Sequence, residues 1–282
     1  MSNVHVVGLN VHPVKSTAIR PVKSAAVELA GFAGDRRWMV VDAEGVLVSA
    51  RELPRLFSIA ADTPETSSDV TTGLRLRADG LGDLHIATDP GDEIPIRMFS
   101  NDLTGVLVSA EADAWVSEAV GTSGLRLVRC PDPTRRALKP GLGREGDHTA
   151  YADAVPVTLA SLKSLAQLND WVAEGAVGRG DELPATLPVH RFRPNVVMDG
   201  DLEAFVEDTW SHVQLGDVTF RVTGPVSRCV MTTIDTDDLA KGKEPIRTLA
   251  RHRRWDGKTW FSIQLIPDGA GVVRVGDEVE PS

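Results

Sequence analysis

Cysteine is scarce in this chain: of 282 residues only Cys130 and Cys229 carry a thiol. Two thiols exclude a disulfide framework, a four-cysteine zinc site and an internal iron–sulfur cluster. Long apolar runs are missing as well. No stretch approaches the roughly 18 uncharged apolar residues of a membrane helix, so a soluble protein without a membrane partner is expected. The N-terminus lacks the basic region and apolar block of a secretory signal, which makes a cytoplasmic location the default expectation. Cations are outnumbered, 30 Lys and Arg against 40 Asp and Glu, for a formal net charge of −10. That sign opposes generic binding to nucleic acid, which is held through neutralised phosphates. An anionic ligand has to meet a local basic pocket. Walker A, Gly-rich dinucleotide, His-Glu-x-x-His and Gly-x-Ser-x-Gly motifs are all missing, and with them the usual support for phosphate, hydride, zinc and serine-hydrolase chemistry.

What is present is a globular composition, 42% hydrophobic against 25% charged, in a chain about twice the usual domain length. One large domain or two modest ones follow. Period-two runs predict strands from the N-terminus through Val11, over Trp38–Val41 with a turn into Val46–Val48, at Leu74–Arg77 and around Leu84–Ile86. Helical spacing predicts a helix after Ser109 with Glu111 and Asp113 in its first turn. A second helix carries Leu162, Leu165, Ala166, Leu168 and Val172 on one face and is stopped near Gly175 and Gly178, and a short third one is begun by Pro245. Asp132–Asp147 is rich in Pro, Gly and Arg and reads as a lid, a binding loop or a linker. Strands are predicted at Pro194–Val197 and Val218–Val222, and a final hairpin pairs Trp260–Ile263 with Val272–Val275. Many strands, few helices and no strand-helix-strand alternation predict a mainly β (α+β) protein of barrel architecture.

Four polar clusters stand at strand ends. In Ser227-Arg228-Cys229 a guanidinium beside the thiol favours thiolate, the form that attacks or ligates soft metals; taken alone, the tripeptide fits a small buried hydrophobe better. Pro13-Val14-Lys15-Ser16 brings a lysine and a hydroxyl out together, suited to phosphate oxygens. In Gly34-Asp35-Arg36-Arg37-Trp38, strand periodicity sends the two arginines to opposite faces. Arg191-Phe192-Arg193-Pro194-Asn195 puts two arginines on one face with an amide nearby.

Together, in this order, the clusters resemble the two-part MOSC family, similar to amidoxime-reducing components and their bacterial relatives. Ala50–Leu56, Tyr151-Ala152-Asp153 and Lys243-Glu244-Pro245 extend the match over essentially the whole chain. The resemblance implies an N-terminal β-barrel domain over residues 1–120 packed on a C-terminal MOSC β-barrel over 121–282, with a molybdopterin held between them. Cys229 is then the protein ligand to molybdenum and the catalytic residue. Lys15, Ser16, Arg36, Asp153, Arg193, Asn195, Ser227 and Arg228 fall on cofactor-binding positions. Ala154 and Val155 replace small hydroxyl residues of some relatives, and Arg37 stands where relatives often carry an aromatic ring.

The activity so implied is molybdenum-dependent reduction of N-hydroxylated compounds such as amidoximes, hydroxylamines or N-hydroxylated base analogues. The cofactor performs the bond chemistry while the protein binds and orients. Because the chain ends at Ser282 without clustered cysteines, electrons are expected from a separate ferredoxin, flavodoxin or cytochrome with its reductase. Asp153 and His148 are conceivable proton donors. Two rival readings are a sulfur carrier with a persulfide on Cys229, and a carrier of the molybdenum cofactor without turnover.

Overall fold

The strand expected at the N-terminus forms over Val4–Val11 in the computed structural model, which describes residues 3–282; Met1 and Ser2 lie outside the described residues. The described residues are mainly β with three α-helices. It divides into two compact units. One comprises Val11–Val22 and Leu29–Pro156, the other Met1–Asn10, Lys23–Glu28 and Val157–Ser282.

The unit containing Leu29–Pro156 holds a sheet ordered Trp38–Val41, Arg126–Arg129, Asn101–Leu107 and Glu93–Met98, antiparallel throughout. Met39, Val41, Ile96, Met98 and Val128 fill its core with Cys130 and Tyr151. A smaller sheet joins Ala60–Asp62, Leu74–Arg77 and Leu84–Ile86. Helix α1 spans Ala110–Val120 because Ser109 caps it, accepting from the Ala112 amide at 3.1 Å, and Gly121 ends it in the left-handed region at φ 71. The turn after Val41 forms as expected, with Val48 N donating to Val40 O at 3.0 Å. The arginine pair departs from expectation: residues 33–36 are a turn, Arg36 has φ 49, and the strand begins only at Trp38, so strand periodicity does not govern Arg36 and Arg37.

In the unit containing Val157–Ser282, one sheet runs Val279–Pro281, His212–Leu215, Val218–Arg228, Lys258–Pro267, Val157–Ser161, Val196–Gly200, Val4–Val11. Val157–Ser161 and Val196–Gly200 are parallel, which requires a crossover. Helix α2, Leu162–Val177, supplies it. This strand-helix-strand element was hidden in sequence because an irregular stretch of residues 178–195 separates helix from second strand. Leu165, Leu168 and Val172 of α2 pack with Phe192, Leu249 and Phe261, whereas Ala166, expected inward, is exposed. Helix α3, Ile246–His252, follows Pro245 as expected.

The expected C-terminal hairpin does not form. Lys258–Pro267 already has neighbours on both edges, Val218–Arg228 and Val157–Ser161, so Gly271–Arg274 pairs with Ser24–Glu28 instead. The hairpin that does form joins Arg254–Trp255 to Lys258–Thr259 through Asp256 and Gly257, both at positive φ. Asp-Gly is the sequence signature of that tight turn.

Candidate functional site

Three segments of the Leu29–Pro156 unit are stitched together by backbone bonds. Lys15 N donates to Trp38 O at 2.8 Å, Arg36 N to His12 O at 2.7 Å, and Tyr151 N to Arg36 O at 3.1 Å. Arg36 takes its left-handed conformation at this junction, a strain of the kind that concentrates at functional sites. Behind it Asp35 accepts from the His12 backbone at 2.7 Å and meets His12 Nδ1 at 3.0 Å, with the Arg36 guanidinium on its other oxygen. Burial alone would raise the Asp35 carboxyl, but Arg36 and His12 hold it down at about 2.

Lys15 lies at the centre, 5% exposed. Its ammonium donates to Tyr151 O at 2.8 Å and pairs with the Asp153 carboxylate. Arg51 Nη2 stands 3.8 Å from Asp153, and its guanidinium lies 4.8 Å from the Phe99 ring centre. Arg136 donates to the carbonyls of Ala150, Ala152 and Asp153, fixing the segment that carries the acid. Burial pushes the Lys15 ammonium down, Asp153 works against that, and Arg36 and Arg136 push it lower still. Desolvation raises the Asp153 carboxyl, but Lys15, Arg36 and Arg51 hold it at about 2. Cations outnumber anions here, and a phosphate oxygen is the natural complement of a lysine and arginines so placed. Ser16, buried at φ 68, follows directly. Arg51 and Arg136 were not singled out from sequence. Arg51 sat inside the matched Ala50–Leu56 run and Arg136 inside the loop read as a lid or binding segment, which were the available signals.

In the other unit, Val218–Arg228 delivers Cys229 to the start of a tight turn, Val230–Thr233, closed by Thr232 N on Cys229 O at 3.1 Å. Cys229 is half-buried and Ser227 exposed. Arg228 points inward, donating to Phe261 O at 2.8 Å and Phe192 O at 2.9 Å, with its guanidinium 5.4 Å from the Phe192 ring. Arg193 is left-handed at φ 50 and buried, after the short helical turn Val189–Phe192. That turn replaces the strand face expected for Arg191 and Arg193, and Arg191 pairs with Asp235 at 2.5 Å. Asn195 braces the sheet: Thr158 N donates to its Oδ1 at 3.2 Å, and its Nδ2 donates to Asn10 O at 3.2 Å. His148 Nδ1 lies 2.8 Å from Gly146 O.

The nine sequence-predicted residues therefore form two sets. Lys15, Ser16, Arg36 and Asp153 belong to one unit; Arg193, Asn195, Ser227, Arg228 and Cys229 belong to the other. No group of three or more His, Cys, Asp and Glu that could cage a metal ion exists among the described residues. A metal at Cys229 would need a ligand that brings its own donors, and the thiol is the soft donor this unit offers it.

The chain is thus mainly β, with a half-buried thiol in one unit and a cation-rich cluster in the other. Residues 146–280 match the model of the MOSC domain and residues 3–123 that of the MOSC N-terminal beta barrel domain, and the chain belongs to the MOSC family. It is 30% identical to human mitochondrial amidoxime-reducing component 1 over 296 residues, covering 97% of this chain and 82% of that protein. The zebrafish (Danio rerio) protein of the same name is 31% identical, covering 97% and 83%. Molybdenum cofactor sulfurase of rice (Oryza sativa subsp. japonica) is 28% identical, covering 100% of this chain but 36% of that protein. The expected cytoplasmic location is overturned by these comparisons: the human and zebrafish relatives are mitochondrial by name, and lack of a secretory signal was no positive sign of the cytoplasm. No helix among the described residues is long and apolar enough to cross a membrane.

Proposed function

We propose that this chain is a molybdenum-cofactor oxidoreductase that reduces N-hydroxylated compounds with electrons from a separate carrier protein. The observation that carries the reading is the position of Cys229, a half-buried thiol at a strand end in a chain whose relatives are named amidoxime-reducing components and molybdenum cofactor sulfurase. Cys229 is the proposed metal ligand. In its unit Arg193, Asn195, Ser227 and Arg228 are the proposed cofactor-binding residues; in the other unit Lys15, Ser16, Arg36 and Asp153 are.

The cofactor, when bound, supplies the two-electron chemistry that breaks an N–O bond. The chain's own residues do the rest. Arg228, tied to the Phe261 and Phe192 carbonyls, holds the strand end that leads into Cys229, and Asn195 ties Asn10 to Thr158 across the sheet. Lys15 contributes positive charge whose position is set by Tyr151 O and Asp153. Asp153, whose carboxyl Lys15, Arg36 and Arg51 hold at about 2, opposes the burial that lowers the Lys15 ammonium and is not itself the proposed proton donor.

The rival sulfur-carrier reading draws support from the rice relative, whose matched part is 36% of its length. Metal and pterin analysis of protein from a molybdopterin-producing host, with Cys229→Ala beside it, tests the ligand. Stoichiometric molybdenum that disappears in the variant is expected; equal metal in both sinks the role. Reduced holoprotein mixed with benzamidoxime tests the reaction, and no benzamidine despite full cofactor loading favours a carrier.

A further inference from the structure

Charge in this chain is segregated. From Lys241 to Trp260 there are seven lysines and arginines against Glu244 and Asp256, a local charge of +5 in a chain whose formal net charge is −10. The segment lies wholly within the Val157–Ser282 unit, and the sheet brings its end beside Cys229. Arg254 is opposite Thr259, and Thr259 is opposite Arg228. Arg254 thus stands two strand spacings, roughly 10 Å, from the residue preceding the thiol.

The same hairpin exposes indole. Trp255 is 41% exposed and stacks on Trp260 with ring centres 5.7 Å apart. Trp260 is opposite Ser227. Arg253, anchored on Asp208, lies 5.0 Å from the Trp255 ring centre and props it. Around this centre Arg251, Arg254 and Lys258 are exposed, and none has an anionic partner among the described residues. An aromatic centre with an unpaired cationic rim is the anatomy of a protein–protein interface for a partner of opposite charge. A long polyanion meets the acidic remainder of the surface beyond the patch, whereas a small globular partner, covering about 800 Å² per side, stays on it.

We propose that the Arg254–Trp260 hairpin, with Arg251, is the docking surface for an acidic one-electron carrier protein that feeds the centre at Cys229. The proposal rests on the reductase reading above and names its partner's chemistry. Each docking transfers one electron and leaves the carrier oxidised. Two dockings and two protons from water convert one hydroxylamine or amidoxime into the amine or amidine plus one water.

Flavodoxin, an acidic carrier, is the probe. Holoprotein, an Arg251→Glu/Arg254→Glu/Lys258→Glu variant and a Trp255→Ala variant are titrated with it calorimetrically at low and physiological salt. The same proteins are driven to reduce benzamidoxime by flavodoxin or by reduced methyl viologen. Flavodoxin affinity and flavodoxin-driven kcat/KM are expected to fall about tenfold or more on charge reversal and several-fold for Trp255→Ala, and wild-type affinity to weaken with salt. Viologen-driven rates stay level. Equal flavodoxin affinity in all three proteins, no affinity in the wild type, or preference for a short DNA duplex overturns the docking surface. Absence of viologen-driven turnover in the wild type overturns the reductase reading instead, and the calorimetric comparison still decides the surface.

Discussion

Cys130 and Cys229 follow strands in different units and meet opposite surroundings. Cys130 comes directly after Arg126–Arg129, its amide bonded to Arg37 O at 2.8 Å, and its side chain joins Met39, Met98, Val128 and Tyr151 in the core. Burial pushes its thiol up, and Arg37 only partly opposes that. Cys229 comes directly after Val218–Arg228 but at the start of a tight turn, and is half-buried. The same residue type in the same relation to a strand is thus packing material in one unit and a half-buried thiol, the proposed ligand, in the other. What separates them is the packing at the residue itself: Cys130 sits among core side chains, whereas Cys229 opens a turn beside the exposed Val230.

Metal content is the sharpest way to break this contrast. Cys229→Ala should take molybdenum from about one per chain to background, because it removes the soft anionic donor that this chain offers the metal, whereas Cys130→Ala should leave it unchanged. Loss in Cys130→Ala with retention in Cys229→Ala would reverse the two roles. Thiol access gives the next largest effect. Iodoacetamide at neutral pH should alkylate Cys229 of the cofactor-free protein roughly tenfold faster or more than Cys130, since reaction needs an accessible thiolate. Peptide mass spectrometry over a time course reads both rates, and equal rates would show that the core around Cys130 opens readily.

Much of the fold was legible in sequence, and what was not follows a physical pattern. Helix α1 was visible because its cap, acidic first turn and apolar spacing all agree, and the Leu74–Arg77 strand because it alternates cleanly. The partner of Gly271–Arg274 was not visible: pairing with Ser24–Glu28 is decided by which edge is free once the sheet assembles, and local pattern carries no record of that. The conformation of Arg36 and Arg193 was hidden for a related reason. Each looks like a residue entering a strand, yet each is left-handed, Arg36 at a junction of backbone bonds to His12 and Tyr151 and Arg193 at the end of a short helical turn. For the site, motif order across the chain named the candidates, but the cation excess around Lys15 emerged only when Arg51 and Arg136 came to the same acid from far along the chain.

The unit of Cys130 is also braced by buried charge, which acid should expose. Asp35 has its carboxyl lowered to about 2 by Arg36 and His12, so its folded-state value lies below its unfolded one. Such a group contributes stability above the unfolded value, near 4, and loses it as pH falls through about 2. A shift of nearly two pH units corresponds to about 2 kcal/mol. Denaturant unfolding between pH 5 and pH 2 should therefore show a fall that Asp35→Asn flattens, with the variant already weaker by about 2 kcal/mol at neutral pH. An unchanged acid profile would mean that the pair with Arg36 persists on unfolding or contributes nothing.

The smallest difference is the most direct measure of packing. Cys130→Ala removes one buried sulfur from among Met98, Val128 and Tyr151 and should cost about 1 kcal/mol, the transfer term plus a small cavity. Cys229→Ala removes a sulfur that is half in water, and should change the stability of the cofactor-free protein by less than about 0.5 kcal/mol. Using cofactor-free protein matters, because a ligand that binds only the folded state adds stability of its own. With cofactor bound the order should invert, as the wild type gains that linkage and Cys229→Ala does not. Urea midpoints for both variants with and without cofactor test this; a Cys229→Ala deficit as large in the cofactor-free protein as in the loaded one would make Cys229 a structural residue.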